Sequence, residues 1–121
     1  MAIDLFAYLT PIRLRRPVDF GRVGKSVEFH RWHNRRDIHG WMNELYRSKG
    51  GLQKDWLPSQ VELTFADLDR LAGDLPQMAI LKLIGSPDIV YTGDQFDDRL
   101  FLEKARAALR AGLSVYYDAW S

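Results

Sequence analysis

Alternation of apolar and polar positions is clearest at the two ends of the chain. Ile3, Leu5, Ala7 and Leu9 alternate with Asp4, Phe6 and Tyr8, which predicts a first strand over Ile3–Leu9. Both sets are largely apolar, so this strand is expected to be central in a sheet. Pro11 ends it, because proline has no N–H to donate to a ladder. At the other end Val115, Tyr117 and Ala119 alternate with Tyr116, Asp118 and Trp120, which predicts a final strand over Ser114–Trp120.

Between these ends the period changes. Phe29 and Trp32, three residues apart, suggest a helix that starts near Lys25 with Ser26 as its N-cap. The pattern lapses at Asn34, Arg35 and Arg36. Asp37 then caps a second segment in which Ile38, Trp41, Met42 and Leu45 form a core-facing stripe. Gly40 inside that stripe suggests a close contact, because glycine costs roughly 1 kcal/mol there relative to alanine. Gly50 and Gly51 stop this helix. Leu52–Ser59, with Trp56 and Pro58, reads as a loop, and Val61–Leu63 as a short strand.

Thr64 and Asp67 have capping-box spacing, and Phe65, Leu68, Leu71, Ala72 and Leu75 follow as a helical stripe closed by Pro76. Ala79–Ile84 reads as a strand, Ser86–Asp88 as a turn and Ile89–Thr92 as a returning strand. After a break at Gly93–Asp94, Asp94, Asp97 and Asp98 favour the positive end of a last helix. Its buried face would carry Phe96, Leu100, Phe101, Ala105, Ala108 and Leu109, and Gly112 would end it. The sum is a single α+β domain over residues 1–121: a mostly antiparallel sheet of about four strands, with about three helices packed on one face.

Composition narrows the chemistry. No cysteine occurs, which excludes disulfides, thiolate metal sites and cysteine nucleophiles. No apolar run reaches the roughly 18 residues of a membrane-spanning helix. The N-terminus carries Asp4 and no basic lead, so it does not read as a secretory signal, and a cytoplasmic location is expected. The net charge of +1 conceals a split: residues 1–54 carry eleven Lys/Arg against five Asp/Glu, and residues 55–121 six against eleven. Either the two halves attract each other in the folded chain, or the first presents a basic surface. The Ile12–Gly24 segment holds Arg13, Arg15, Arg16 and Arg22, read here as solvated loop residues.

The stretch Val27–Gly51 gathers all three histidines, two of the four tryptophans and five basic residues. His30 and His33 would share a helix face, but no His-Glu-x-x-His pattern accompanies them and no metal site is assigned. Arg31, Trp32, Arg35 and Arg36 interleave aromatic and basic groups as nucleic-acid surfaces do. The core stripes account better for Trp32 and Trp41. Gly24-Lys25-Ser26 resembles the end of a phosphate loop, but Asp19 stands where that loop requires its first glycine. No Gly-x-Ser-x-Gly elbow occurs, and no catalytic residue or cofactor is assigned. What remains as a binding set is Arg31, Asn34, Arg35, Arg36, Asp37 and His39.

Several stretches resemble a family of small proteins encoded by tailed phages and prophages. The opening Met-Ala-Ile-Asp-Leu-Phe-Ala-Tyr is similar to that family's Met-Gly-Leu-Asp-Met-Tyr-Leu-Tyr. Trp32 followed by Ile38-His39-Gly40-Trp41-Met42 is similar to its central helix. Leu45–Gly51, and then Val61–Thr64 with Asp67-Leu68-Asp69, resemble its next helix. Ala111–Trp120 resembles its last strand, although Ala119 and Ser121 stand where Ser and Trp are usual. Members are often labelled "phosphoglycerate kinase", a label at odds with a 121-residue chain that lacks a phosphate-cradling motif. The resemblance implies phage origin and no settled activity. The leading expectation is a non-enzymatic accessory protein, in the host cytoplasm, that binds a host protein or complex through the basic surface around Arg13–Arg36. An inhibitor of a CRISPR–Cas or other defence complex is one such role. The alternative is a small enzyme or a nucleotide- or nucleic-acid-binding protein with its site around His39. No membrane partner is expected.

Overall fold

A computed structural model of the chain describes residues 3–54, 60–85 and 92–120. β1 (Asp4–Thr10) lies inside a four-stranded sheet of order β2-β1-β4-β3, formed with β2 (Val27–His33), β3 (Val61–Leu63) and β4 (Ser114–Trp120). Every pairing is antiparallel. Three helices pack against one face: α1 (Arg36–Ser48), α2 (Phe65–Gly85) and α3 (Thr92–Arg110). The α+β architecture read from the sequence is thus present. No helix among the described residues is long and apolar enough to cross a membrane.

The core lies between sheet and helices. Leu5, Ala7, Val115, Tyr117 and Ala119 supply its sheet side. Ile38, Met42, Leu45, Leu68, Leu71 and Phe101 supply its helix side. Burying one such aliphatic or aromatic side chain stabilises the fold by roughly 1.5–3 kcal/mol.

Val27–His33 is a strand, not the helix that Phe29 and Trp32 suggested. The pairing with β1 explains the misreading. Ala7 faces His30 while Tyr8 faces Glu28, so Phe29 is an extra residue, a β-bulge. The bulge shifts the alternation by one, so Phe29 stacks on Phe101 at 5.9 Å while His30 and Trp32 also turn inward. An inward pair three apart then imitates one helical turn. Ser26 is accordingly no helix cap; its hydroxyl donates to the Val23 carbonyl at 3.0 Å.

Pro76 does not end α2, which continues to Gly85 through the segment Ala79–Ile84 expected as a strand. A six-residue apolar run does not by itself separate a strand from a helical segment. The expected turn Ser86–Asp88, the residues Ile89–Tyr91 of the expected returning strand, and Trp56 and Pro58 lie outside the described residues. α3 starts at Thr92, ahead of the expected Gly93–Asp94 break. Its inward face is Asp98, Phe101, Leu102, Ala105 and Ala108, whereas Phe96 is 76% exposed and Leu100 43%. Asp37 occupies the first turn of α1 and not its cap, and a side chain at Gly40 would meet open space.

Other local signals hold. Thr64 and Asp67 close a reciprocal capping box: Asp67 N–H donates to Thr64 Oγ1 at 3.3 Å and Thr64 N–H to Asp67 Oδ2 at 2.9 Å. Gly112 ends α3 with a φ of +85°, a left-handed conformation that only glycine adopts without penalty.

Candidate functional site

Most polar groups singled out in the sequence lie inside the fold and are spent on holding it. Asp98, on the inward face of α3, accepts the Trp32 indole N–H at 3.2 Å and two guanidinium bonds from Arg35 at 3.1 and 2.9 Å. Arg35 also donates to both carboxylate oxygens of Asp37, at 3.0 and 3.1 Å. Burial alone would pull the Arg35 guanidinium down. The hydrogen bonds and charges of Asp37 and Asp98 outweigh it and hold the group above the ordinary arginine value. His30 adds a contact from its Nε2 to Asp97 at 3.0 Å. The cluster clamps β2 and the start of α1 onto α3.

His39 is fully buried, with Nδ1 2.6 Å from the Tyr117 hydroxyl. Burial pushes Tyr117 well above the ordinary phenol value, which keeps the proton on its oxygen and suits an O–H donated to His39. His39 therefore shares no surface with Arg31, which is exposed on the opposite face of the sheet. Arg31 stacks over the Phe6 ring at 4.8 Å and bonds Glu28 at 3.2 Å. Asn34, in left-handed conformation at φ +52°, donates its N–H to the Ile3 carbonyl at 2.7 Å. Arg36 is exposed at the start of α1. The structure thus brings Arg35 and Asp37 together, and separates Arg31 and His39 by the sheet. His30 and His33 also fall on opposite faces, and His33 pairs with Asp4 at 3.0 Å. Among the described residues no group of three His or carboxylate side chains is placed to hold a metal ion.

A different feature emerges at Pro11–Gly24. This segment lines an open pocket of about 430 Å³. Arg13, Arg15, Arg16, Arg22 and Phe20 line it, with Ile12, Leu14 and Val23 as apolar wall. All four arginines are exposed. Among the described residues, Arg15, Arg16 and Arg22 make no ion pair.

The segment has little regular structure, yet it is fastened at its neck and over Pro17–Gly21. Thr10 Oγ1 donates to the Gly24 carbonyl at 3.3 Å and closes its neck. Val18 bridges Val61, and Glu62 N–H donates to the Pro17 carbonyl at 2.9 Å, so the segment briefly extends the sheet beyond β3. Gln60 bonds both the N–H and the carbonyl of Gly21, at 2.8 and 2.6 Å. Asp19 accepts the Tyr46 hydroxyl, 2.8 Å from each of its oxygens. That bond holds the one acidic residue of the lining, whose backbone is left-handed at φ +50°. Phe20 packs edge-on against Tyr116 at 5.1 Å, and the Tyr116 hydroxyl donates to Ser26 at 2.7 Å.

The charge split resolves on this geometry. His30–Asp97, Arg35–Asp98 and Lys49–Asp67 join the basic half to the acidic half. Arg15, Arg16 and Arg22 stay outside that neutralisation, whereas Arg13 lies near enough to Glu62 to favour its charged form. All four are exposed, as expected of solvated loop residues, and they lie at one end of the basic surface expected around Arg13–Arg36. The available signal was their density, four arginines in ten residues between two prolines and two glycines, in a connection too long to be a simple turn.

Comparison of the chain with protein-family models, with curated proteins and with solved structures found no match.

Proposed function

We propose that this chain is a non-enzymatic accessory protein that binds an acidic host macromolecule through the arginine-rich segment Pro11–Gly24. The observation that carries the reading is the segment itself: four exposed arginines line one pocket on a backbone tied to Gln60, Val61 and Tyr46, and among the described residues Arg15, Arg16 and Arg22 make no ion pair. Exposed arginine is the side chain suited to planar, bidentate recognition of carboxylate and phosphate. Ordering the backbone before binding lowers the entropy lost on association. The resemblance to small tailed-phage proteins supports a bacterial host as the setting. A host protein complex is the favoured partner, and inhibition of a CRISPR–Cas or other defence complex is the specific form proposed.

The test is affinity purification from host lysate with mass spectrometry, using the wild-type chain and the Arg15→Glu/Arg16→Glu double variant. The reading predicts a host component retained by wild type and lost from the variant. If wild type retains none, the reading fails.

A further inference from the structure

We infer that the pocket of the Pro11–Gly24 segment is a binding site for a nucleoside phosphate. The lining has two chemistries at once. Arg13, Arg15, Arg16 and Arg22 supply guanidinium forks for a polyanion, and phosphate oxygens match that fork bidentately. Ile12, Leu14, Val23 and the Phe20 ring supply a wall that inorganic phosphate would leave unused. A ligand satisfying both carries a phosphate group and a flat, weakly polar ring. A volume of about 430 Å³ lies within the range of pockets that take small organic ligands.

The surroundings fit this assignment. Asp19 is the one carboxylate in the lining, and Tyr46 holds it with a hydrogen bond to both oxygens. Gly21 is fixed from both sides by Gln60, so the backbone between Phe20 and Arg22 is set without a ligand. Phe20 is anchored by its contact with Tyr116 and is half-buried, so its ring has a defined position. The site is distinct from His39, which is fully buried against Tyr117 and absent from the lining.

Two sources supply this chemistry: a free nucleotide, or a nucleotide within a single strand, whose bases stack on aromatic rings. Calorimetric titration of the purified full chain at low salt separates them. The probes are ADP, inorganic phosphate and a short 5′-phosphorylated oligothymidylate. The inference predicts that ADP binds at least tenfold more tightly than inorganic phosphate. Arg15→Ala/Arg16→Ala should weaken ADP at least tenfold, whereas Arg99→Ala, on the exposed side of α3, should not. Phe20→Leu should weaken ADP severalfold and leave inorganic phosphate unchanged. An oligonucleotide at least tenfold tighter than ADP assigns the site to a strand; one equal or weaker assigns it to a free nucleotide.

No ADP binding overturns the inference, as does ADP no tighter than inorganic phosphate. Binding of the oligonucleotide without ADP also overturns it, because a basic surface alone does that. Thermal unfolding of each variant near the wild-type midpoint shows that the chain is intact. Because the titration contains no host component, its failure leaves the proposed macromolecular partner standing.

Discussion

The Tyr46 hydroxyl sits 2.8 Å from each carboxylate oxygen of Asp19, and that contact ties the arginine segment to helix α1. The same oxygen accepts the Gln53 N–H at 2.9 Å, so one phenol fixes two connections at once. Burial pushes this phenol above its ordinary value, so it remains a donor through neutral pH. Tyr46→Phe removes the bond and leaves the ring in the core. A hydrogen bond to a charged group is worth about 1.5–3 kcal/mol. The variant should lose stability of that order in denaturant titration, with faster amide exchange at residues 18–22 than in α3.

The Arg35–Asp98 pair is buried on both sides, with side-chain exposures of 11% and 9%. Asp98→Ala leaves a guanidinium and the Trp32 indole N–H without this acceptor. Asp37 still neutralises Arg35 in that variant, so the loss is that of the hydrogen bonds given up, about 1.5–3 kcal/mol. Chemical denaturation should show a loss of that size, and Asp98→Asn, which keeps one acceptor oxygen, a smaller one.

Asp118 gives stability a pH dependence. Burial on β4 pushes its carboxyl up to about 6 from 3.8, against a backbone bond from Ala119 that lowers it. The folded chain therefore holds a proton that the unfolded chain releases between about pH 4 and pH 6. Its contribution is favourable below that window and is lost as pH rises through it. At ~1.4 kcal/mol for each tenfold change, Asp118→Asn should raise stability by about 1–3 kcal/mol above pH 6. It should have little effect at pH 4. Unfolding curves at the two pH values check the sign.

Gly51 is constrained by space. A Cβ at this position would overlap the ring of Tyr46, whose edge lies against the backbone. Overpacking a fixed aromatic ring costs about 1–3 kcal/mol. Gly51→Ala should therefore destabilise the chain by that amount, while Gly73→Ala, in open space on α2, should be neutral or stabilising. Thermal unfolding of the two variants makes the comparison.

The first and last strands, the stripe of α1 and the Thr64–Asp67 box are legible in the sequence because each carries its pattern within a few consecutive residues. The errors arose where a distant partner decides. Phe29 and Trp32 share a face only because β2 takes a bulge opposite β1, which local spacing does not reveal. Pro76 was read as a stop, although α2 continues past it. The binding set was partly misplaced for a related reason. His39 and Arg35 are polar groups in a polar-looking stretch, but Tyr117 and Asp98, more than sixty residues away, take them into the core. The arginines of Pro11–Gly24 had the opposite fate: their side chains stay exposed, on a segment whose backbone is tied down at Val18, Asp19 and Gly21 by Val61, Tyr46 and Gln60.

The exposed arginines of Pro11–Gly24 are the proposed recognition surface. The most direct measurement is retention of host components, quantified by mass spectrometry, on immobilised wild type, Arg15→Glu/Arg16→Glu and Arg99→Glu. The account predicts a component that wild type and Arg99→Glu retain equally and that the double variant loses at least tenfold, with all three chains folded. A component retained equally by all three would contradict it.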